Sequence, residues 1–177
     1  LLKMKAGIKK ASKNTINNNI FFINITNTLY DLMVNYIKGC VFMNYNDDRT
    51  FKQVEVKKLY ESNNWISYYN HMERTMLALE KAFYVYSCWN DNELVGLVRC
   101  VGDGITILYI QDLLVLPKYQ GQGIGAKLLK DTLEKFKSVY QVVLITDEND
   151  KTESFYKKIG ISSGKDKGIV PFIKMNY

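Results

Sequence analysis

Apolar residues are spaced in two different ways along this chain. Through residues 1–42 no period of 2 or 3.6 persists, and seven Asn fall between Asn14 and Asn35. From Met43 onward the spacing becomes regular. Thr50-Phe51-Lys52-Gln53 has the form of a capping box, and Val54, Leu59 and Tyr60 follow it on one predicted helical face. A second helix is predicted from about Met72 to Lys81. Phe83–Trp89 and Leu94–Val101 are rich in strand formers and joined by Asn90-Asp91-Asn92, which reads as a hairpin. Gly102-Asp103-Gly104 turns the chain into a long apolar strand from Ile105 to Leu116, which Pro117 ends.

Helical period returns with Ile124, Leu128, Leu129, Leu133 and Phe136. Tyr140–Thr146 reads as a strand, and Asp150–Lys158 as a short helix stopped by Gly160. The tail, Gly168–Tyr177, fits a last strand. Hairpins followed by a strand, loop, helix and strand predict an α/β fold, a mixed sheet flanked by helices. No internal repeat is visible.

Composition narrows the function. The 177 residues suit one domain, and 47% hydrophobic with 13% aromatic residues is enough to fill a core. The formal charge of +6 invites a nucleic-acid reading until its location is examined. Residues 1–42 hold six Lys and one acid, a balance of +5, whereas residues 43–177 hold 18 Lys and Arg against 17 acids. The positive charge therefore belongs to a leader, and the domain lacks the basic stripe that a nucleic-acid partner needs. The organisation expected is a leader over 1–42 and one folded domain over 43–177, where the patterning is regular. The leader is either an extension or start-site artefact ahead of Met43, or an arm docked on the fold or on a partner subunit. A homodimer stays open.

Cys40, Cys88 and Cys100 are odd in number and lack metal-ligand spacing, so free thiols, no metal and a reduced, cytoplasmic compartment are expected. No window of about 18 uninterrupted apolar residues occurs, so no membrane partner is expected.

The chemistry concentrates in Val115-Leu116-Pro117-Lys118-Tyr119-Gln120-Gly121-Gln122-Gly123-Ile124-Gly125-Ala126. An apolar strand runs into a glycine-rich loop, and the loop opens an amphipathic helix. Helix N-termini offer unpaired N–H groups and a positive dipole end, a natural phosphate site. Two familiar phosphate loops fail on spacing. Gly121, Gly123 and Gly125 give G-x-G-x-G where a dinucleotide fold needs G-x-G-x-x-G, and Ala126 stands where a P-loop needs Lys.

What the segment resembles is the acetyl-coenzyme A signature of the GNAT acetyltransferase superfamily, Arg/Gln-x-x-Gly-x-Gly/Ala, met by Gln120, Gly123 and Gly125. Asn149 and, seven residues later, Tyr156 within Phe155-Tyr156-Lys157-Lys158-Ile159-Gly160-Ile161 resemble the family's second signature. Thr152 stands there in place of the usual Ala and Ile161 in place of the usual Phe. Leu94-Val95-Gly96 resembles the hairpin strand that precedes the first signature. The similarity runs over roughly residues 43 to 162.

The resemblance implies a mostly antiparallel sheet in which the strand carrying Leu114, Val115 and Leu116 splays from the strand near Leu144. The coenzyme's pantetheine arm would lie in that gap. Gln120, Gly121, Gln122, Gly123, Ile124, Gly125 and Ala126 would hold the pyrophosphate, with Asn149 and Phe155 alongside. Acetyl-coenzyme A would be the cosubstrate and a small-molecule or peptide amine the acceptor, attacked directly. The family's proton donor falls on Tyr156, a phenol able to reprotonate a departing thiolate.

For the amine's proton, Asp112 is either a base or amine-binding group, or a structural carboxylate inside an apolar strand. Trp65, Tyr68 and Tyr69 either wall the acceptor pocket, caging a cation, or pack in the core. Arg99 reads as an exposed ion pair with Asp103, or else as an acceptor contact. His71 and the Asp147–Glu148 pair read as surface or cap positions. Two other functional classes stay open: a transferase using another acyl-coenzyme A, and a non-catalytic coenzyme-binding regulatory module.

Overall fold

Strands buried on both faces build the centre of the fold, β3 on seven consecutive positions, and the computed structural model describes residues 42–175. The expectations for residues 1–41 lie outside the described residues. A five-stranded sheet runs in the order β1-β2-β3-β4-β5, with β1 Asn44–Asn46, β2 Tyr84–Asn90, β3 Glu93–Gly102, β4 Ile107–Val115 and β5 Gln141–Leu144. The first four strands are antiparallel and β5 lies parallel to β4. A parallel pair needs a crossover. Helix α4, Ile124–Lys135, supplies it. Helices α1, Gln53–Ser62, α2, Ile66–Tyr69, and α3, Met72–Glu80, precede β2, and α5, Asp150–Lys158, follows β5.

Each face of the sheet buries one apolar cluster. Val56, Leu59 and Tyr60 of α1 meet Leu79 of α3 and Leu97, Leu114 and Leu116 of the sheet. On the other face Leu128 and Leu129 of α4 meet Val95, Val98, Cys100, Leu108 and Ile110. Full burial of one such leucine is worth about 1.5–3 kcal/mol, so the two clusters set which helix takes which face. Cys88 and Cys100 are buried free thiols, and burial pushes the Cys100 thiol up to about 12. Such a thiol packs and does not react. No helix among the described residues is long and apolar enough to cross a membrane.

Four details depart from the sequence reading. The N-cap of α1 is Lys52, with no side-chain cap, so Thr50-x-x-Gln53 is not a capping box. Thr50 instead donates its N–H to Asp48 Oδ1 at 2.9 Å, in a turn before the helix. The buried face of α1 is Val56, Leu59 and Tyr60, spaced i, i+3, i+4, and Val54 is 67% exposed. The short β1 and α2 are too brief to show a period. The tail forms no strand through Met175: a single 3-10 turn at Lys165–Lys167 leads into an irregular segment in which Phe172 is 97% exposed.

Candidate active site

A β-bulge opens the site. Arg99 of β3 faces Asp112 and Cys100 faces Ile110, so Gln111 of β4 has no cross-strand partner. An extra residue bends the strand and reverses the faces of everything after it. Leu108 and Ile110 accordingly pack with α4, whereas Leu114 and Leu116 pack with α1 and α3. Pairing between β4 and β5 ends at Ile110 and Leu144, one residue before the bulge. On its other edge β4 remains paired with β3 as far as Val115, and Leu116 N–H donates to Val95 O at 2.8 Å. The β5-facing edge of the segment from Gln111 to Leu116 thus has no strand partner among the described residues, and a wedge opens there.

The glycine loop stands at the wide end of that wedge. Pro117–Tyr119 forms a 3-10 turn, after which Gly121 and Gly123 take φ of 78° and 83°. These are left-handed conformations that cost most other residues about 1–2 kcal/mol. A Cβ built on either glycine would meet nothing within 4 Å, so backbone conformation, not crowding, demands glycine, and the space above both is open. Gly123 is the N-cap of α4, has no side chain to cap it, and accepts the first helical bond from Lys127 N–H at 2.9 Å. The N–H groups of Ile124, Gly125 and Ala126 therefore precede the first helical donor. No acid lies in that first turn, so dipole and donors together favour an anion.

The remaining loop residues serve packing and anchoring. A Cβ on Gly125 would lie 3.5 Å from Val115 Cγ2 and 3.9 Å from Phe155 Cζ, so this glycine lets α4 sit close to β4 and α5. Ile124 is buried and pins the helix start. Gln120 Nε2 donates to Val115 O at 3.0 Å and to Asn63 Oδ1 at 3.3 Å, and Gln122 Nε2 donates to Lys118 O at 3.2 Å. Both glutamines brace the loop.

Helix α5 is defined by its two ends. Asn149 is its N-cap, accepting from Thr152 N–H at 2.8 Å. At the other end Gly160 N–H bonds Lys157 O at 3.0 Å and Ile161 N–H bonds Tyr156 O at 3.1 Å, a Schellman motif with Gly160 at φ 93°. The glycine of the second signature is thus the residue that stops the helix one turn after Tyr156. Phe155 and Tyr156 meet edge to face at 5.1 Å and pack with Ile124, Leu128 and Leu144. Tyr156 is half-buried, and that burial raises its phenol above the ordinary value. It is held protonated. Replacing Asn149 with Ala is expected to cost about 1 kcal/mol of stability through loss of the cap, read as a lower melting temperature.

The carboxylate inside the strand is sealed. Asp112 Oδ2 accepts from Tyr60 Oη and from Arg99 Nε, each at 2.5 Å, and Oδ1 accepts from Arg99 Nη2 at 3.2 Å. The side chains of Arg99 and Asp112 are 7% and 0% exposed. A general base needs a free lone pair facing the acceptor, so this geometry gives Asp112 its structural reading. Arg99 is likewise withdrawn from an acceptor, and its predicted ion pair with Asp103 does not form. Asp103 Oδ1 instead accepts from the N–H groups of Ile105, Thr106 and Ile107 within its own turn.

Tyr68 lies against Tyr60 with ring centroids 5.2 Å apart and planes at 19°, and Trp65 tilts onto Tyr68 at 5.1 Å. Trp65 also meets Tyr60 edge to face at 6.0 Å, so the three rings pack on one another. The outer edge of Tyr68 remains half-buried, and its hydroxyl accepts from Gln111 Nε2 at 3.1 Å. Tyr69 packs against the same cluster, while His71, Asp147 and Glu148 are exposed. Gln111 was absent from the sequence reading. The signal for it was the polar pair Gln111-Asp112 between apolar runs, which a strict alternation does not produce.

Comparison with known proteins adds the family. Residues 43–161 match the sequence model of the Acetyltransferase (GNAT) family. An uncharacterized N-acetyltransferase, ycf52-like, of Prochlorococcus marinus is 30% identical over 122 residues, which span 66% of this chain and 66% of that protein. A GNAT family acetyltransferase of Streptococcus pneumoniae, of known structure, superposes with a TM-score of 0.69 at 34% identity, covering 76% of this chain and 98% of that one. The protein AAC(6')-Iy, solved with the bisubstrate analogue CoA-S-monomethyl-acetylneamine, shares the fold at TM-score 0.58 and 13% identity, over 77% of this chain and 99% of that one.

Proposed function

The chain belongs to the GNAT acetyltransferase family, and from that premise we propose that it transfers an acetyl group from acetyl-coenzyme A to a primary amine of a small molecule or peptide. The observation that carries the reading is the wedge beside β4 with an uncapped helix N-terminus at its wide end. The fit can be judged from the residues themselves. Gly121 and Gly123 leave open space where a pyrophosphate would sit, and helix N–H groups border it. The unpaired edge of β4 carries alternating N–H and C=O groups suited to an amide-rich arm, much as an added strand would use them. From Gln111 to Leu116 that edge is about 17 Å long, so the reacting end would lie near the bulge.

The amine attacks the thioester carbonyl directly. A carbon–nitrogen bond forms, a tetrahedral oxyanion collapses, and the carbon–sulfur bond breaks. The leaving thiolate needs a proton, and Tyr156, held protonated by burial, is the group assigned to give it. Water returns that proton to Tyr156 and takes one from the new ammonium. No protein nucleophile takes part, which agrees with the buried state of Cys88 and Cys100.

Titration of the protein with acetyl-coenzyme A in a calorimeter, followed by thiol release across an amine panel, tests the proposal. Saturable binding and amine-dependent thiol release are expected. No binding would overturn the reading. Binding without thiol release from any amine would make the chain a regulatory module instead.

A further inference from the structure

We propose that Glu93 is a positioning residue for the coenzyme, holding the upstream flank of the glycine loop in its binding conformation; this rests on the placement of the pyrophosphate at that loop. Glu93 is the first residue of β3, beyond the turn at Asp91 and Asn92. Its carboxylate gathers donors from two other elements. Lys58 of α1 donates to Oε1 at 2.6 Å. From the 3-10 turn that leads into the glycine loop, Lys118 Nζ and Tyr119 Oη each donate to Oε2 at 2.9 Å. Asn90 Nδ2 completes the cluster by donating to Tyr119 Oη at 2.9 Å.

The loop needs such an anchor. Gly121 and Gly123 lose more backbone freedom on ordering than any other residue type. Among the described residues, the exposed Gln120 and Gln122 make side-chain bonds to Val115 O, Lys118 O and Asn63, the C-cap of α1. The flanks supply the rest of that order. Downstream the flank is α4, rooted in the core by Ile124 and Leu128. Upstream it is Pro117–Tyr119, whose charged and hydroxyl groups converge on Glu93. The carboxylate side chain is 20% exposed, while those of its lysines are 50% and 60% exposed. Bonds to Lys58 and then Lys118 pull its carboxyl down to about 2. Because the folded value is lowered, the clamp is intact above the ordinary carboxylate range and is lost only as pH falls toward about 2.

Electrostatics alone argues the opposite way, which makes the proposal decidable. Glu93 with Lys58 and Lys118 carries a net +1, and removing its charge leaves +2 beside an anion site. A purely Coulombic effect of Glu93→Gln would tighten coenzyme binding. Loss of the anchor would weaken it, since binding must then order the loop as well.

The test is calorimetry of acetyl-coenzyme A with the parent protein, Glu93→Gln and Tyr119→Phe, well below their melting temperatures. Glu93→Gln is expected to raise Kd roughly tenfold, the loss of a charge-assisted contact. Tyr119→Phe, which removes one donor and no charge, should shift Kd the same way by less, and it stands in if Glu93→Gln fails to fold. With coenzyme saturating, kcat and acceptor KM should stay within about twofold, because the reacting end is remote from the loop. A role confined to stability would lower the melting temperature and leave Kd alone. Unchanged or tighter binding in either folded variant would overturn the proposal while leaving the acetyltransferase reading intact. Failure of the parent protein to bind would overturn both.

Discussion

Gly123→Asp is expected to abolish measurable binding of acetyl-coenzyme A while leaving the protein folded. Gly123 sits at φ 83° with open space above it, so a new side chain meets no protein atom within 4 Å. The strain of the left-handed backbone is small for Asp, among the residues that visit that region most readily. The new carboxylate also lies at the N-cap of α4, where an acid is compatible with the dipole. Stability should therefore change by no more than about 1–2 kcal/mol.

Binding suffers twice. The carboxylate occupies the space an anion would fill, and it repels a pyrophosphate at about 4 Å by about 4 kcal/mol at an effective dielectric of 20, near a thousandfold in Kd. Gly123→Ala separates the two contributions. It carries the backbone strain without the charge, and should bind more weakly than the parent yet measurably. Calorimetry with acetyl-coenzyme A on both variants checks the order, and unchanged affinity in Gly123→Asp would remove the phosphate from this loop.

Elements whose signals are local were legible in the sequence. Helix α5 was expected at Asp150–Lys158 and spans Asp150–Lys158, because Asn149 caps one end and Gly160 stops the other within a few residues. The hairpin of β2 and β3 and the loop into α4 were read from turn residues in the same way. What could not be read depends on partners far along the chain. Arg99 was paired with nearby Asp103, but it meets Asp112 across the sheet, because the bulge at Gln111 turns Asp112 toward α1.

The same bulge decides where the wedge opens, and a bulge leaves only a break in alternation as its trace. Tyr60 looked like one more apolar position of α1, yet its hydroxyl reaches Asp112, 52 residues away. Glu93, Lys58 and Lys118 likewise converge from three separate elements. The tail erred in the other direction. Its composition favours a strand, but pairing needs a neighbour, and residues 168–175 find none among the described residues.

Tyr156→Phe is expected to lower kcat by 10²–10⁴-fold, the usual worth of general acid catalysis, with little change in coenzyme affinity. The substitution removes one oxygen and keeps the ring, so the edge-to-face contact with Phe155 and the packing on Leu128 should survive. The hydroxyl makes no hydrogen bond to any described residue, so its loss should leave no stranded partner. Stability should then stay within about 0.5 kcal/mol of the parent, or rise slightly as a half-buried polar group is removed. A core tyrosine without a catalytic part predicts the same small change in stability with near-normal turnover.

The pH profile gives a second handle. Burial raises the phenol, so in the parent protein any loss of activity from Tyr156 ionisation must fall on the alkaline side, above the ordinary tyrosine range. In Tyr156→Phe that alkaline limb should vanish, because no acid remains to ionise. Turnover and melting should be measured on the same preparation. Turnover within threefold of the parent would show that Tyr156 does not donate the proton, and the wedge would then need another acid near the bulge.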